Sequence, residues 1–138
     1  MRALLDANVV VGSLFAETGS ISKLRQCART SEYQPVISSY ILGEVADVWA
    51  EPYWRRHLTL GEIPTLLSAI HEIFEVIDVA SVIPGVAPHA EDDAILAAGV
   101  AGRVDAIVTG DRQMLDRRSY EGTGIVTPRQ FVDLLATP

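Results

Sequence analysis

The sequence predicts an α/β domain with a mostly parallel sheet and helices on both of its faces. Short apolar runs alternate with longer stretches of helical periodicity, and that alternation builds parallel sheets covered by helices. The chain has 138 residues, 49% of them hydrophobic, enough for one domain with a core of its own. Acidic residues stand where apolar runs end and where helices begin. In an open α/β sheet that edge is the one that binds ligands.

Ala3, Leu4 and Leu5 predict a first strand ending near Asp6, and Val9, Val10 and Val11 carry the chain into a helix reaching about Phe15. Gly19 and Ser20 break the chain. Ser20 suits the cap of a helix over residues 21–30, with Ile21, Leu24 and Cys27 on one face. Residues 34–38 read as a second strand. Ser38 or Ser39 then caps a helix over residues 40–50, whose apolar positions Ile41, Val45 and Val48 are spaced i, i+4, i+7. Glu44 falls on the same face. A glutamate beside an apolar stripe either snorkels to water or points at a metal.

Thr59 and Glu62 have the capping-box spacing and predict a helix over residues 60–74, with Pro64 in its first turns. Leu66, Leu67, Ile70, Ile73 and Phe74 supply its buried face. Residues 75–78 predict a third strand, and the Pro- and Gly-interrupted residues 79–88 a loop. Asp92 and Asp93 open the next helix, built from the small residues Ala94, Ala97, Ala98, Gly99 and Ala101. Ala106, Ile107 and Val108 form a strand that ends at Thr109, Gly110 and Asp111. Residues 112–118 predict a short helix, residues 122–124 a turn, and Ile125 and Val126 a final strand. Thr127 caps the last helix, with Pro128 at its first position and Gln130 three residues after the cap. No repeat, linker or low-complexity segment interrupts this order, so residues 1–138 are read as one domain.

The net charge of −7 argues against a protein that holds nucleic acid by bulk electrostatics. Acids gathered around bound cations would reverse that, because the metal's charge inverts the local field. No apolar run is long enough to span a bilayer, and the N-terminus lacks the features of a signal peptide, so a cytoplasmic protein with no membrane partner is expected. Cys27 is the lone cysteine and reads as a buried helix thiol. His57, His71 and His89 lack the spacing of a metal site.

Four acids share one relation to the strands. Asp6 ends the first, Glu44 sits a turn into the helix after the second, Asp93 opens the helix between the third and fourth, and Asp111 follows the fourth. All four can line a single crevice. A set of oxygen donors suits hard cations such as Mg²⁺ or Mn²⁺. Crowded carboxylates raise one another's pKa unless a cation neutralises them. The chemistry that most often uses such a set is phosphodiester hydrolysis by metal-activated water. Each acid also has an ordinary reading. Asp6 and Asp111 can cap the helices that follow them, Asp92 and Asp93 can favour a helix N-terminus, and Glu44 alone is an ordinary helix glutamate. The joint pattern is what favours a site.

The stretches LLDANVVVGSLF, VISSYILGEV, EDDAILAAGVAGRVDAIVTGD and GIVTPRQFVDLL resemble the PIN-domain family, nearest to the bacterial VapC-type toxins of toxin–antitoxin pairs. The resemblance runs along nearly the whole chain. It implies a three-layer α/β/α sandwich and a Mg²⁺- or Mn²⁺-dependent endoribonuclease leaving 5′-phosphate and 3′-hydroxyl ends. It assigns Asp6, Glu44, Asp93 and Asp111 to metal binding and catalysis. Asn8 and Thr109 become supporting residues. RNA is expected to approach over basic side chains near the crevice, with Arg112 a substrate contact and Arg55 or Arg56 as further candidates. A cognate antitoxin and a homodimer are the implied protein partners, beside an RNA substrate. Two departures stand out. Residue 7 is Ala where many members have Thr or Ser, and Asp92 rivals Asp93, which is preferred because Ala94, Ile95, Leu96 and Ala97 follow it directly. A PIN-fold binding module without useful activity and a DNA-directed nuclease remain as alternatives. A phospho-receiver domain would need a lysine after the last strand, where Pro128 and Arg129 stand instead.

Overall fold

The computed structural model describes residues 1–79 and 90–137, the side chains of residues 90–92 excepted. Six strands form one sheet: β1 (Arg2–Leu5), β2 (Gln34–Ser38), β3 (Glu75–Ile77), β4 (Ala106–Val108), β5 (Ser119–Tyr120) and β6 (Thr123–Val126). Their order is β3-β2-β1-β4-β6-β5, and only the edge pair β5–β6 is antiparallel. The helices are α1 (Ala7–Ser13), α2 (Gly19–Arg29), α3 (Ser39–Trp49), α4 (Pro52–Arg55), α5 (Glu62–Ile73), α6 (Ala90–Ala101), α7 (Arg112–Arg117) and α8 (Pro128–Ala136).

From β1 the chain steps outward to β2 and β3, then crosses back to β4 and continues the other way to β6. Parallel crossovers are right-handed, so helices made on the outward and return journeys cover opposite faces. Accordingly α1 packs on α2 and α3, α3 on α5, and α8 on α2, while α6 lies against β2 and β4. The expected α/β/α layering is the architecture, and the strand order reverses direction between β1 and β4.

The central strands are apolar because both of their faces are covered. Ala3, Leu4, Val36, Ile37, Ile107 and Val108 are all completely buried. The small residues of α6 let that helix approach the sheet closely. A Cβ on Gly99 would lie 2.8 Å from Ile107 Cδ1. Arg2 ties the far end of α6 to the sheet: its Nε and Nη2 donate to the Gly102 carbonyl at 3.1 and 2.9 Å, and Nη1 pairs with Glu75.

Several boundaries differ from the sequence reading. α2 begins at Gly19, two residues before the expected start, and Ser20 lies inside it rather than capping it. Gly19 takes φ +82, so backbone freedom rather than a side-chain cap turns the chain into the helix. α5 starts at Glu62 and stops at Ile73; the expected capping box forms only in part, the Thr59 N–H and hydroxyl each donating to Glu62 Oε1 at 3.1 Å while Gly61 takes the cap position with no side-chain cap. Residues 52–55 add a one-turn helix, α4, that the sequence reading did not assign. Among the described residues there are six strands, where the sequence reading expected five. Glu121 and Gly122, at φ 50 and 81, make the two-residue turn, and Thr123 and Gly124 belong to the strand after it. α6 starts at Ala90, two residues earlier than the acidic pair expected to open it, and Asp92 and Asp93 fall in its first turns. The expected loop at residues 79–88 lies, except for Val79, outside the described residues.

α8 is fastened by its capping box at Thr127 and Gln130 and by Phe131, which is fully buried with its ring edge-on to Tyr33 at 5.0 Å. Phe131→Ala is expected to cost about 3–5 kcal/mol of folding stability, as aromatic truncations in filled cores do. Urea denaturation of the purified protein measures it, and a loss under 1 kcal/mol (an exposed-residue value) would show that α8 is dispensable to the core.

Candidate active site

At the carboxyl edge of the sheet, neighbouring strands finish at nearly the same level and pass into helix caps. Leu5 is in register with Val108, and Val108 with Val126. The next residues extend the ladder, the Asp6 N–H donating to the Val108 carbonyl and the Thr109 N–H to the Val126 carbonyl, both at 3.0 Å. Ser38, at the end of β2, caps α3 by accepting from the Ile41 N–H. Asp6 caps α1, Asp111 caps α7 and Thr127 caps α8. Helix N-termini, with their outward N–H groups and positive dipole ends, therefore collect at this edge.

Asp6 sits at the point where the strand order reverses, the position at which open α/β sheets bind ligands. Its Oδ1 accepts from the Ala7 N–H at 2.7 Å, and its Oδ2 accepts from the Thr109 hydroxyl at 2.7 Å. The Thr109 oxygen in turn accepts from the Asp111 N–H at 3.1 Å. Thr109 is wholly buried, so this one hydroxyl locks the start of α1 to the start of α7. Asp111 Oδ1 accepts from the Gln113 and Met114 N–H groups at 2.8 and 3.3 Å.

Burial raises the Asp6 carboxyl above its ordinary pKa, the Thr109 and Ala7 hydrogen bonds pull it down, and the nearby Asp111 charge pushes it up again.

Asp93 is 5% exposed, within the first turns of α6. Its level along the sheet follows from the Arg2 clamp. From Gly102, held by Arg2, back to Asp93 is about 13 Å of helix. From Arg2 forward to Asp6 is likewise about 13 Å of strand. α6 thus runs from that clamp back toward the carboxyl edge, and Asp93 lies in its first turns. Glu44 lies half-buried in α3 with Oε1 closed off from solvent. Helical side chains lean toward the helix N-terminus, which for α3 is the carboxyl edge of the sheet.

Of the remaining expected residues, Thr109 takes a central position. Asn8 is exposed on α1 and makes no hydrogen bond to Asp6, which is held by Ala7 and Thr109 instead. Arg112 is exposed at the first position of α7, next to Asp111. The Asp92 side chain lies outside the described residues.

The donors suit a hard divalent cation in kind, being carboxylates and a hydroxyl, and the raised Asp6 carboxyl is a group that a cation would stabilise in its charged form. Among the described residues no three His, Cys, Asp or Glu side chains converge closely enough to make a ready metal cage. The part that is drawn together is the pair Asp6–Asp111 on the Thr109 bridge.

This is a doubly wound α/β domain with paired carboxylates at its switch point. A profile of the PIN domain family matches residues 2–113, and the chain belongs to that family, whose members are generally nucleases that use divalent metal ions. Two solved structures share the fold. A chain of VapBC2 from Rickettsia felis, solved bound to a DNA fragment from its promoter, has a TM-score of 0.61 at 17% identity, covering 91% of this chain and 97% of that one. PAE2754 from Pyrobaculum aerophilum has a TM-score of 0.70 at 14% identity, covering 100% of this chain and 91% of that one. No curated protein sequence matches.

The raised Asp6 carboxyl fixes the sign of a pH effect. The folded chain holds that proton more tightly than the unfolded chain does. Protonation therefore favours folding, and this contribution is lost as pH rises from the unfolded value through the higher folded one. In metal-free buffer Asp6→Asn should raise the melting temperature at pH 7 and gain little at a pH below the ordinary aspartate range. A melting temperature lowered equally at both pH values would show that the Thr109 and Ala7 hydrogen bonds outweigh the cost of burial.

Proposed function

We propose that the protein is an endoribonuclease that depends on Mg²⁺ or Mn²⁺ and acts as the toxin of a toxin–antitoxin pair. The observation that carries this reading is the Asp6–Thr109–Asp111 bridge at the sheet's switch point, and buried Asp93 in the first turns of α6 adds to it. Asp6, Asp93 and Asp111 would hold the cation, with Glu44 as a further ligand or a support behind them. When bound, a divalent cation of this kind supplies an activated water and neutralises charge on the scissile phosphate.

The chain's own residues do the positioning. Thr109 holds Asp6 Oδ2 in one orientation while fixing the backbone of Asp111. The α1 cap engages Asp6 Oδ1, and the α7 cap engages Asp111 Oδ1, so neither carboxylate swings freely. Arg112, exposed beside Asp111, is placed to meet a phosphate of the incoming strand. Asn8 is the nearest exposed polar side chain on α1 and is assigned a substrate-facing role rather than support of Asp6.

The toxin assignment is supported by the fold shared with VapBC2 and by the resemblance of the four sequence stretches to VapC-type toxins. The partner it implies is an antitoxin that presents a basic group to the acidic edge and blocks it. A homodimer is the second expected assembly, in line with the same resemblance.

The test is cleavage of labelled RNA and of single-stranded DNA by purified protein, with Mn²⁺ and with EDTA. RNA should be cut only in the presence of metal. Asp6→Asn and Asp93→Asn should each lose more than the ~10–100-fold that removal of a supporting partner costs, while remaining folded. Asp92→Asn should retain activity, and the reverse outcome within the pair would move the ligand role to Asp92. Mn²⁺ should also stabilise the wild type, by about 2.7 kcal/mol at a hundred times its Kd, and should not stabilise Asp6→Asn. Absence of both cleavage and metal-induced stabilisation would leave a PIN-fold binding module. Preferential cleavage of DNA would reassign the substrate.

A further inference from the structure

The segment EPYWRRH, residues 51–57, follows α3 and is not used by the site described above. Its residues 52–55 form α4, whose Trp54 ring meets Phe15, just beyond the end of α1. The rings make a continuous chain. Trp49 meets Phe15 edge-on at 6.2 Å, Phe15 meets Trp54 at 5.2 Å, Trp54 meets Tyr53 edge-on at 5.4 Å, and Tyr53 meets His57 at 5.4 Å. One end of this chain is anchored, Trp49 being wholly buried. The other end is open, Tyr53 being 63% and Phe15 39% exposed. Packing at the buried end holds the outer rings in place, so the exposed surface of Tyr53 is presented on a rigid base.

Charge selects the partner. Arg55, Arg56 and His57 are all exposed, and neither arginine is in an ion pair among the described residues. Glu51 is the one acid of the segment, in a protein whose net charge is −7. A chain so acidic repels polyanions over most of its surface, and a strand of nucleic acid needs a place where cations are concentrated. A flat, fixed ring flanked by unpaired guanidinium groups is the combination that single strands use, bases stacking on the ring and phosphates meeting the cations.

The position fits as well. Asp6 caps the start of α1 and Phe15 lies just past its end, about 13 Å away along the helix. Tyr53 lies two ring contacts beyond Phe15, through Trp54 at 5.2 and 5.4 Å, and a short run of nucleotides covers the whole span.

We propose that the Tyr53–Arg55–Arg56 face of α4 is a second contact for single-stranded RNA, holding the strand a few nucleotides from the bond to be cut. This inference rests on the nuclease reading above, and the two can fail separately.

The experiment measures binding of a fluorescent oligouridine to the full chain in EDTA, where nothing is cut, across a series of salt concentrations. Tyr53→Ala should weaken binding about tenfold, and Tyr53→Phe, which keeps the ring, should not. Arg55→Ala with Arg56→Ala should weaken binding and reduce the slope of log K against log salt by about 0.7 for each phosphate contact removed. Thermal melts confirm that the variants fold. Wild-type affinity in both Tyr53→Ala and the double arginine variant would overturn the inference. So would wild-type affinity accompanied by a shift in sedimentation, which would make the face a self-association surface. If the wild type binds and the variants do not, yet no RNA is cut with Mn²⁺, the binding inference stands and the nuclease reading fails. If the wild type cuts RNA and the variants bind as it does, only the inference falls.

Discussion

The register between β1 and β4 is the constraint on which the rest of the molecule depends. Because Leu5 lies opposite Val108, the residue after each strand reaches the carboxyl edge at the same level, and Thr109 can place its hydroxyl between Asp6 and the backbone of Asp111. A slip of one residue would turn every side chain of the strand to the opposite face. Leu4 and Leu5 would exchange layers, and Asp6 would leave the crevice. Both faces of these strands are covered by helices, so the slip would draw Arg2 or Asp6 into the apolar layers, and the cost of burying a charge opposes it. Packing of apolar side chains thus sets the position of a polar contact that contributes little to the core.

The ordinary and the functional readings of the acids turn out to be compatible. Asp6 and Asp111 do cap helices, each accepting backbone N–H groups that would otherwise lack partners. Capping brings a carboxylate to the end of a strand, and two adjacent parallel strands then bring two carboxylates near each other. The arrangement has a cost, visible in the raised carboxyl of Asp6: burial and the neighbouring Asp111 both disfavour its charged form. Hydrogen bonds from Thr109 and Ala7 offset only part of that. A fold selected for stability alone would place an uncharged side chain here. Local strain of this kind concentrates where binding needs it.

The strands that carry the site were readable because their apolar runs are short, uninterrupted and each followed by a capping residue. The helix α6 was readable from its small residues, and its close approach to Ile107 explains why they are small. Other features left no trace in local pattern. β5 has two residues, too few for any periodicity, and exists only because β6 offers it an antiparallel partner across a two-residue turn. The start of α2 was set by the left-handed backbone of Gly19, whereas the neighbouring serine looked like the better cap. The resemblance makes Asn8 a support for Asp6, but Asn8 is exposed on α1 and makes no hydrogen bond to that carboxylate. Thr109, distant in sequence and adjacent in space, holds the carboxylate instead.

What the sequence determined by itself was the set of elements, the acids at their ends and the kind of chemistry such acids support. Local propensities and apolar periodicity are enough for that, since both act over a few residues. Which acids meet was decided by the tertiary structure. Strand order placed β1 beside β4, register made Asp6 and Thr109 neighbours, and the Arg2 clamp set the height of α6. Each of these joins residues roughly a hundred positions apart. Contacts at that separation form only when the sheet assembles and its apolar faces are buried together.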